Sequence, residues 1–253
     1  MRAAYDAAAT GWNDGPGPMY ADLARALVAN AGVPAAGRCV LDLGAGTGVA
    51  GRAAAAAGAR QVVAADIAVG MLRCCDKTLH PVAADAGALP FGAGSFDLVI
   101  AAFCLGHLAG LPGCLAEIRR VGAAVAASSF APGWTHPAKD AVDGVLTGFG
   151  YQPPGWYEDF KHDTEPRAAD VDGLVAQARA AGFAEAGVRR VDVVTGVATP
   201  AQLASWRLGM AHVAPFAGSL TLAGRSALRR AAEAAVARTG AAALEVSMLV
   251  LTG

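Results

Sequence analysis

The stretch Val40-Leu41-Asp42-Leu43-Gly44-Ala45-Gly46-Thr47-Gly48 decides the fold. An apolar run that opens into a glycine-rich turn is the first strand-to-helix joint of a doubly wound α/β sheet, where missing side chains let a ligand approach the backbone. Eighteen residues after Gly48, a second apolar run ends in Asp66. That spacing suits a carboxylate accepting hydrogen bonds from ribose hydroxyls. Two details narrow the ligand. Val49 stands where the phosphate-binding pattern G-x-G-x-x-G needs its third glycine, and Asp42 puts an anion two residues before the turn. A pyrophosphate at a helix N-terminus wants positive potential and backbone donors, so a carboxylate beside it is a penalty.

A ligand that is cationic, carries a ribose and lacks phosphate reverses that argument. S-adenosylmethionine, with an ammonium and a sulfonium, has this chemistry. A nicotinamide dinucleotide stays open as the alternative, since similar glycine turns serve it. Composition sets the remaining bounds. At 253 residues the chain exceeds a typical domain of about 100–150 residues but suits one α/β sheet with insertions. The hydrophobic share of 55% and mean hydropathy of +0.40 are inflated by alanine tracts such as 53–57, which favour helix. The longest uncharged stretch, 98–116, contains Gly106, His107, Gly110, Pro112 and Gly113, so it reads as strand, turn and helix start rather than as a membrane span. The first residues lack a basic-then-apolar leader, and the expected location is the cytoplasm, with no membrane partner. With 20 basic and 21 acidic residues there is no electrostatic footprint for nucleic acid. The five cysteines form no C-x-x-C pair; they read as small buried hydrophobes, and no metal is expected.

Apolar runs alternate with helical patterns in the βαβ manner. Strands are expected at 39–43, 61–65, 81–84, 96–101, 123–128, 187–194 and 245–251, and helices at 19–31, 49–57, 69–77, 113–120, 171–181, 200–209 and 222–239. Gly58 and Gly182 are helix stops. The expected organisation is one domain over 1–253: a helical segment 1–38, a cofactor-binding core 39–131, an insert 132–166, and the rest of the sheet in 167–253 with a helical insertion 200–240. The insert carries Trp134, His136, Tyr151, Trp156, Tyr157 and His162 among five prolines. It emerges past the fifth strand, where open α/β sheets bind ligands, and reads as a lid.

The runs Ala84-Asp85-Ala86-Gly87-Ala88-Leu89-Pro90-Phe91 and Ser95-Phe96-Asp97-Leu98-Val99-Ile100 follow in order. With the glycine turn and Asp66, they make residues 5–130 resemble the class I S-adenosylmethionine-dependent methyltransferases, particularly the branch acting on quinones and other small molecules. The resemblance implies a seven-stranded, Rossmann-like doubly wound sheet with a last antiparallel strand. It implies S-adenosylmethionine as donor and S-adenosylhomocysteine as product. Gly44, Gly46 and Thr47 would line the methionine end, with Asp42 near the ammonium. Asp66 would take the ribose hydroxyls, and Ile67 and Met71 would pack on the adenine. Asp85 would accept from the adenine amine, the Ala86 amide would meet its ring nitrogen, and Phe103 would border the methyl group. Read locally, Asp85 can instead cap its turn, Asp66 can cap the helix after Ile67, and Met71 can be core.

Three departures from the resemblance bear on function. Ala101-Ala102-Phe103-Cys104 replaces the Asn/Asp-Pro-Pro-aromatic run of amino-group methyltransferases acting on nucleic acids. Gly106-His107 keeps only the second of the paired histidines common in the quinone branch. The roughly forty residues before the first strand are too few for the dimerisation domain of large phenolic O-methyltransferases, so the expected state is a monomer or weak homodimer. His107 is the first candidate for a base, against a buried histidine bonded to a carbonyl. Tyr5, Trp12, His136, Tyr151, Trp156 and Tyr157 are candidate acceptor contacts, and they suggest a small apolar or aromatic acceptor. A cyclase or non-methylating scaffold on the same fold is the other function class, and a nicotinamide-type oxidoreductase a third.

Overall fold

In the computed structural model, which describes residues 1–108 and 110–253, seven strands form one sheet. In chain order the elements are α1 (Arg2–Trp12), α2 (Gly17–Ala29), β1 (Cys39–Leu43), α3 (Val49–Ala56), β2 (Gln61–Asp66), α4 (Val69–Arg73), β3 (His80–Ala83), β4 (Phe96–Ala102), α5 (Leu111–Val121) and β5 (Gly122–Phe130). There follow α6 (Pro137–Gly148), α7 (Gly155–Asp159), a π-helical turn (Phe160–Thr164), α8 (Glu165–Ala169), α9 (Val171–Ala180), β6 (Gly187–Val194), α10 (Pro200–Leu208), α11 (Ala214–Ser219), α12 (Leu222–Thr239) and β7 (Glu245–Thr252).

The strand order is β3-β2-β1-β4-β5-β7-β6. The first five strands run parallel, and β7 lies antiparallel between β5 and β6. This is the expected Rossmann-like sheet with its last strand reversed. From β1 the chain winds first to β2 and β3, then back past β1 to β4 and β5. The reversal between β1 and β4 opens a crevice at their carboxyl ends, where such sheets take ligands.

Both faces of the central strands are covered, so β1, β4 and β7 are largely apolar, whereas the edge strand β6 exposes Arg189, Arg190 and Asp192. Val40, Leu98, Ile100 and Val250 point to one face, buried under α2, α3, α6, α10 and α12. Leu41, Val99, Ala101 and Leu251 point to the other, under α5 and α9. Strand positions match the sequence reading within about two residues. Helix α4 is shorter than its apolar pattern, because Asp76 accepts from the Thr78 amide at 2.8 Å and turns the chain. The helix expected at 19–31 is α2, which begins at Gly17, and a further helix, α1, precedes it.

The insert divides in two. Helix α6 lies in the helical layer against α10 and α12, with Ala138, Val142 and Leu146 wholly buried. The second half, α7 through α8, contributes Trp156, Tyr157, Phe160, Lys161, Glu165 and Pro166 to a cavity wall. Among the described residues no helix is long and apolar enough to cross a membrane.

Candidate active site

Two cavities of about 370 and 430 Å³ meet above the crevice. Tyr5, Tyr20, Phe103 and His107 line both. The smaller is walled by the β1–α3 loop, the ends of β2 and β4, and the turn after β3. All the expected cofactor residues line it except Thr47: Asp42, Gly44, Gly46, Asp66, Ile67, Met71, Asp85, Ala86 and Phe103 are in its wall. Thr47 is fully buried, and its hydroxyl has no partner among the described residues.

The glycines have different reasons. A Cβ on Gly44 would lie 2.5 Å from Cys104 Sγ, so this residue lets β4 close on the loop. A Cβ on Gly46 would meet nothing within 4 Å, but its φ of +56° is a left-handed backbone that side chains with a branched Cβ resist. The loop thus leaves open space beside a backbone fixed for glycine.

Three carboxylates shape this wall. Asp42 is buried; one oxygen accepts from the Gly51 amide at 2.6 Å, and the other has no partner among the described residues. Burial pushes its carboxyl up to about 7, with the Asp66 charge adding to the shift and the Gly51 bond opposing it. An ammonium group beside it would supply the missing partner, and the donor set therefore fits the cationic end of S-adenosylmethionine. Asp66 accepts from the Gly46 amide at 2.7 Å with one oxygen and from the Ala68 amide at 2.7 Å with the other. It therefore ties the glycine loop to the start of α4, and burial raises its carboxyl above the usual range. Asp85 accepts from the Gly87 amide at 2.8 Å, which is the local turn bond. Ile67 is 44% exposed while Met71 is buried against Trp12 and Ala68.

The larger cavity is aromatic. Phe103 follows β4 with φ +52°, the one non-glycine residue with positive φ among the described residues, and its amide donates to Ser128 Oγ at 3.2 Å. That backbone, of a kind that concentrates at ligand sites, turns the ring between Tyr20 and Phe130, at centroid distances of 5.4 and 4.6 Å. Tyr5, brought in by α1, places its hydroxyl 3.0 Å from His107 Nε2. His107 stacks on Phe160 at 4.3 Å, its Nδ1 is buried without a partner among the described residues, and burial pushes its pKa down to about 4.

Of the expected acceptor residues, Tyr5, Trp156 and Tyr157 line this cavity, and Trp12 lines the smaller one. His136 and Tyr151 line neither. His136 caps α6, its Nδ1 accepting from the Ala138 amide at 3.2 Å, and Tyr151 donates to the His212 carbonyl at 3.2 Å. Sequence reasoning did not single out Phe160, Trp206, Arg207 or His212, all of which are in the wall.

The fold is one shared with solved methyltransferases, and the glycine-loop core falls within a matched family. Residues 41–124 match a family described as "Methyltransferase domain". The demethylmenaquinone methyltransferase of Clavibacter sepedonicus is 42% identical over 103 residues, a match taking in 38% of this chain and 42% of that protein. The chain thus matches less than half the length of this curated relative. Among solved structures, phosphoethanolamine N-methyltransferase 2 of Haemonchus contortus, in complex with phosphomonomethylethanolamine and S-adenosylhomocysteine, superposes with a TM-score of 0.56 at 16% identity, covering 98% of this chain and 57% of that one. The 4+2 cyclase SpnF superposes at 0.52 with 17% identity, covering 91% and 79%. These two likenesses are of fold.

Proposed function

We propose that the chain transfers a methyl group from S-adenosylmethionine to a small, apolar or aromatic metabolite by in-line displacement. The observation that carries this is the junction of the cavities. A wall of carboxylates and glycine-loop backbone opens, past Tyr5, Tyr20, Phe103 and His107, onto an aromatic chamber, so donor and acceptor would meet across those four side chains.

When bound, S-adenosylmethionine supplies an electrophilic methyl on a sulfonium. The protein's part is then to hold the nucleophile close and in line, an effect worth about 7–11 kcal/mol in favourable cases, and to exclude water. Phe103, Tyr20 and Phe160 do the latter. Asp42 would hold the donor's ammonium, and Asp66 fixes the loop while one face of its carboxylate stays open to ribose hydroxyls.

His107 is uncharged at neutral pH. As a base near pKa 4 facing a phenol of ordinary pKa about 10, it falls about six units short, ~8 kcal/mol uphill. Its role in this reading is therefore to orient the acceptor's hydroxyl through Nδ1 while Nε2 is held by Tyr5. It serves as a base only for an acidic acceptor such as an enol. The lid is assigned to α7 through α8, and the working unit to a single chain.

Calorimetric titration with S-adenosylhomocysteine and with NADH tests the cofactor. Tight binding of the first and none of the second is expected, and the reverse overturns the reading. Methyl-labelled donor incubated with aromatic acceptors should give labelled product. Isomerised but unmethylated product would favour the cyclase alternative.

A further inference from the structure

The acceptor cavity has a charged end that the methyl-transfer chemistry does not use. Arg207, on α10, is 6% exposed and is gripped by Asp143 of α6 through Nε and Nη2 at 2.7 and 2.9 Å. Asp143 also takes Lys139 Nζ at 3.2 Å, and the exposed Asp140 lies 3.5 Å from the same ammonium. Arg207 and Lys139 line the cavity; Asp143 and Asp140 do not. Both cations are thus oriented from behind by carboxylates and turned toward the space.

His212 completes this end. It is 5% exposed, lies face to face with Tyr157 at 3.7 Å, and its Nε2 is buried with no partner among the described residues. Burial first, and then the positive charges of Arg207, Lys139 and Lys161, hold its pKa down to about 2. The imidazole is therefore uncharged and able to donate from Nε2. Two acids also line the cavity, and both are engaged: Glu165 pairs with Lys161, and Asp170 accepts from the Gly173 amide at the start of α9. Donors outnumber available acceptors at this end. A donor-rich pocket favours an anion, because hydrogen bonds from charged donors are strong and a guanidinium edge matches a carboxylate. The aromatic rings alone would also suit an ammonium ligand, but Arg207 and Lys139 in the wall oppose one.

We propose that the acceptor is an organic acid: a flat apolar skeleton among the aromatic rings, with a carboxylate received by Arg207, Lys139 and His212. This rests on the methyltransferase reading for the cavity's purpose.

The test is calorimetry on the full chain with 6-hydroxy-2-naphthoate and its neutral carboxamide, each with and without saturating S-adenosylhomocysteine. The acid should bind about tenfold or more tighter than the amide, as expected for a charge-assisted contact. Lys139→Gln should remove much of that preference. Arg207→Gln combined with Asp143→Asn, which leaves no unpaired carboxylate behind it, should remove most of it with S-adenosylhomocysteine affinity unchanged. Equal binding of acid and amide, no binding of the acid at millimolar concentration, or a preference that survives both variants overturns the inference. A chain that binds S-adenosylhomocysteine but shows no acid preference defeats this proposal alone; a chain that prefers the acid but ignores S-adenosylhomocysteine defeats the methyltransferase reading instead.

Discussion

The two cavities are built by different means. The smaller one draws mainly on the chain between Asp42 and Gly87, closed by residues of α1, Tyr20 and the stretch after β4, and carboxylates at strand ends supply its acidic groups. The larger one assembles side chains from α1, α2, the ends of β4 and β5, α6 through α8, and the region from α10 to His212. A site formed by strand ends and turns inherits its geometry from the sheet. A site formed by side chains on separate helices inherits it from how those helices pack.

Gly46→Val should give the largest effect. The branched residue costs about 1–3 kcal/mol in a left-handed backbone, and its side chain fills the space the loop leaves open. We expect a folded chain with S-adenosylhomocysteine affinity lowered by at least about a hundredfold, 2.7 kcal/mol. Affinity within threefold of the parent would break the backbone account of the smaller cavity.

Asp66→Ala comes next, because it releases the Gly46 and Ala68 amides together. Cofactor binding should weaken by about 1–3 kcal/mol and the melting temperature should fall. A lower melt with unchanged affinity would confine Asp66 to a structural part.

The Asp42 carboxyl gives a pH signature. The folded chain holds its proton up to about 7, whereas an unfolded chain loses it near pH 3.9. Stability without cofactor therefore falls as pH rises through that window. His107 and His212, held at about 4 and about 2, act with the opposite sign below about pH 6.5, since the unfolded chain takes up their protons first. Comparing the parent with Asp42→Asn cancels the histidines. From about pH 5 to about pH 8, the asparagine variant should gain about 2–3 kcal/mol on the parent in denaturant melts. S-adenosylhomocysteine affinity should rise about fivefold between about pH 6 and about pH 7 in the parent only, following the ionised fraction. A flat affinity profile in the parent would remove Asp42 from ammonium binding.

His107→Asn should have the smallest effect. If the residue orients rather than deprotonates, single-turnover rates should stay within about tenfold of the parent, against the roughly 10²–10⁴ expected for loss of a general base. A thousandfold loss in a stable variant would restore proton abstraction.

The same division explains what was legible in the chain. The run from Val40 to Gly48, Asp66 and Asp85 announce themselves because strand, turn and carboxylate are local patterns, and all lie where expected. Helix α1 falls in the expected helical segment 1–38 but has no local boundary signal: it has no capping side chain and includes Gly11, and it is held by a distant bond from the Gly70 amide to Asp6 at 2.6 Å. Arg207 reads locally as a basic residue in the last turn of α10. Its pairing with Asp143, 64 positions away, has no sequence signal. His136 illustrates the reverse error, since an insert histidine that suggests chemistry is absorbed by a helix cap.

Helix α1 also has a consequence in time. Ala8, Ala9 and Trp12 pack with Ala68 and Met71 beside the smaller cavity, and Tyr5 on the same helix stands in both walls. Tyr5 completes the wall the two cavities share, and Met1, Arg2 and Trp12 add to the wall of the smaller one, so α1 borders both spaces. On the methyltransferase reading, we therefore expect the donor to enter first, the acceptor second, and the spent donor to leave last. Product-inhibition patterns should show S-adenosylhomocysteine competing with the donor alone, and Asp6→Ala, by loosening the latch on Gly70, should shorten its residence on the enzyme.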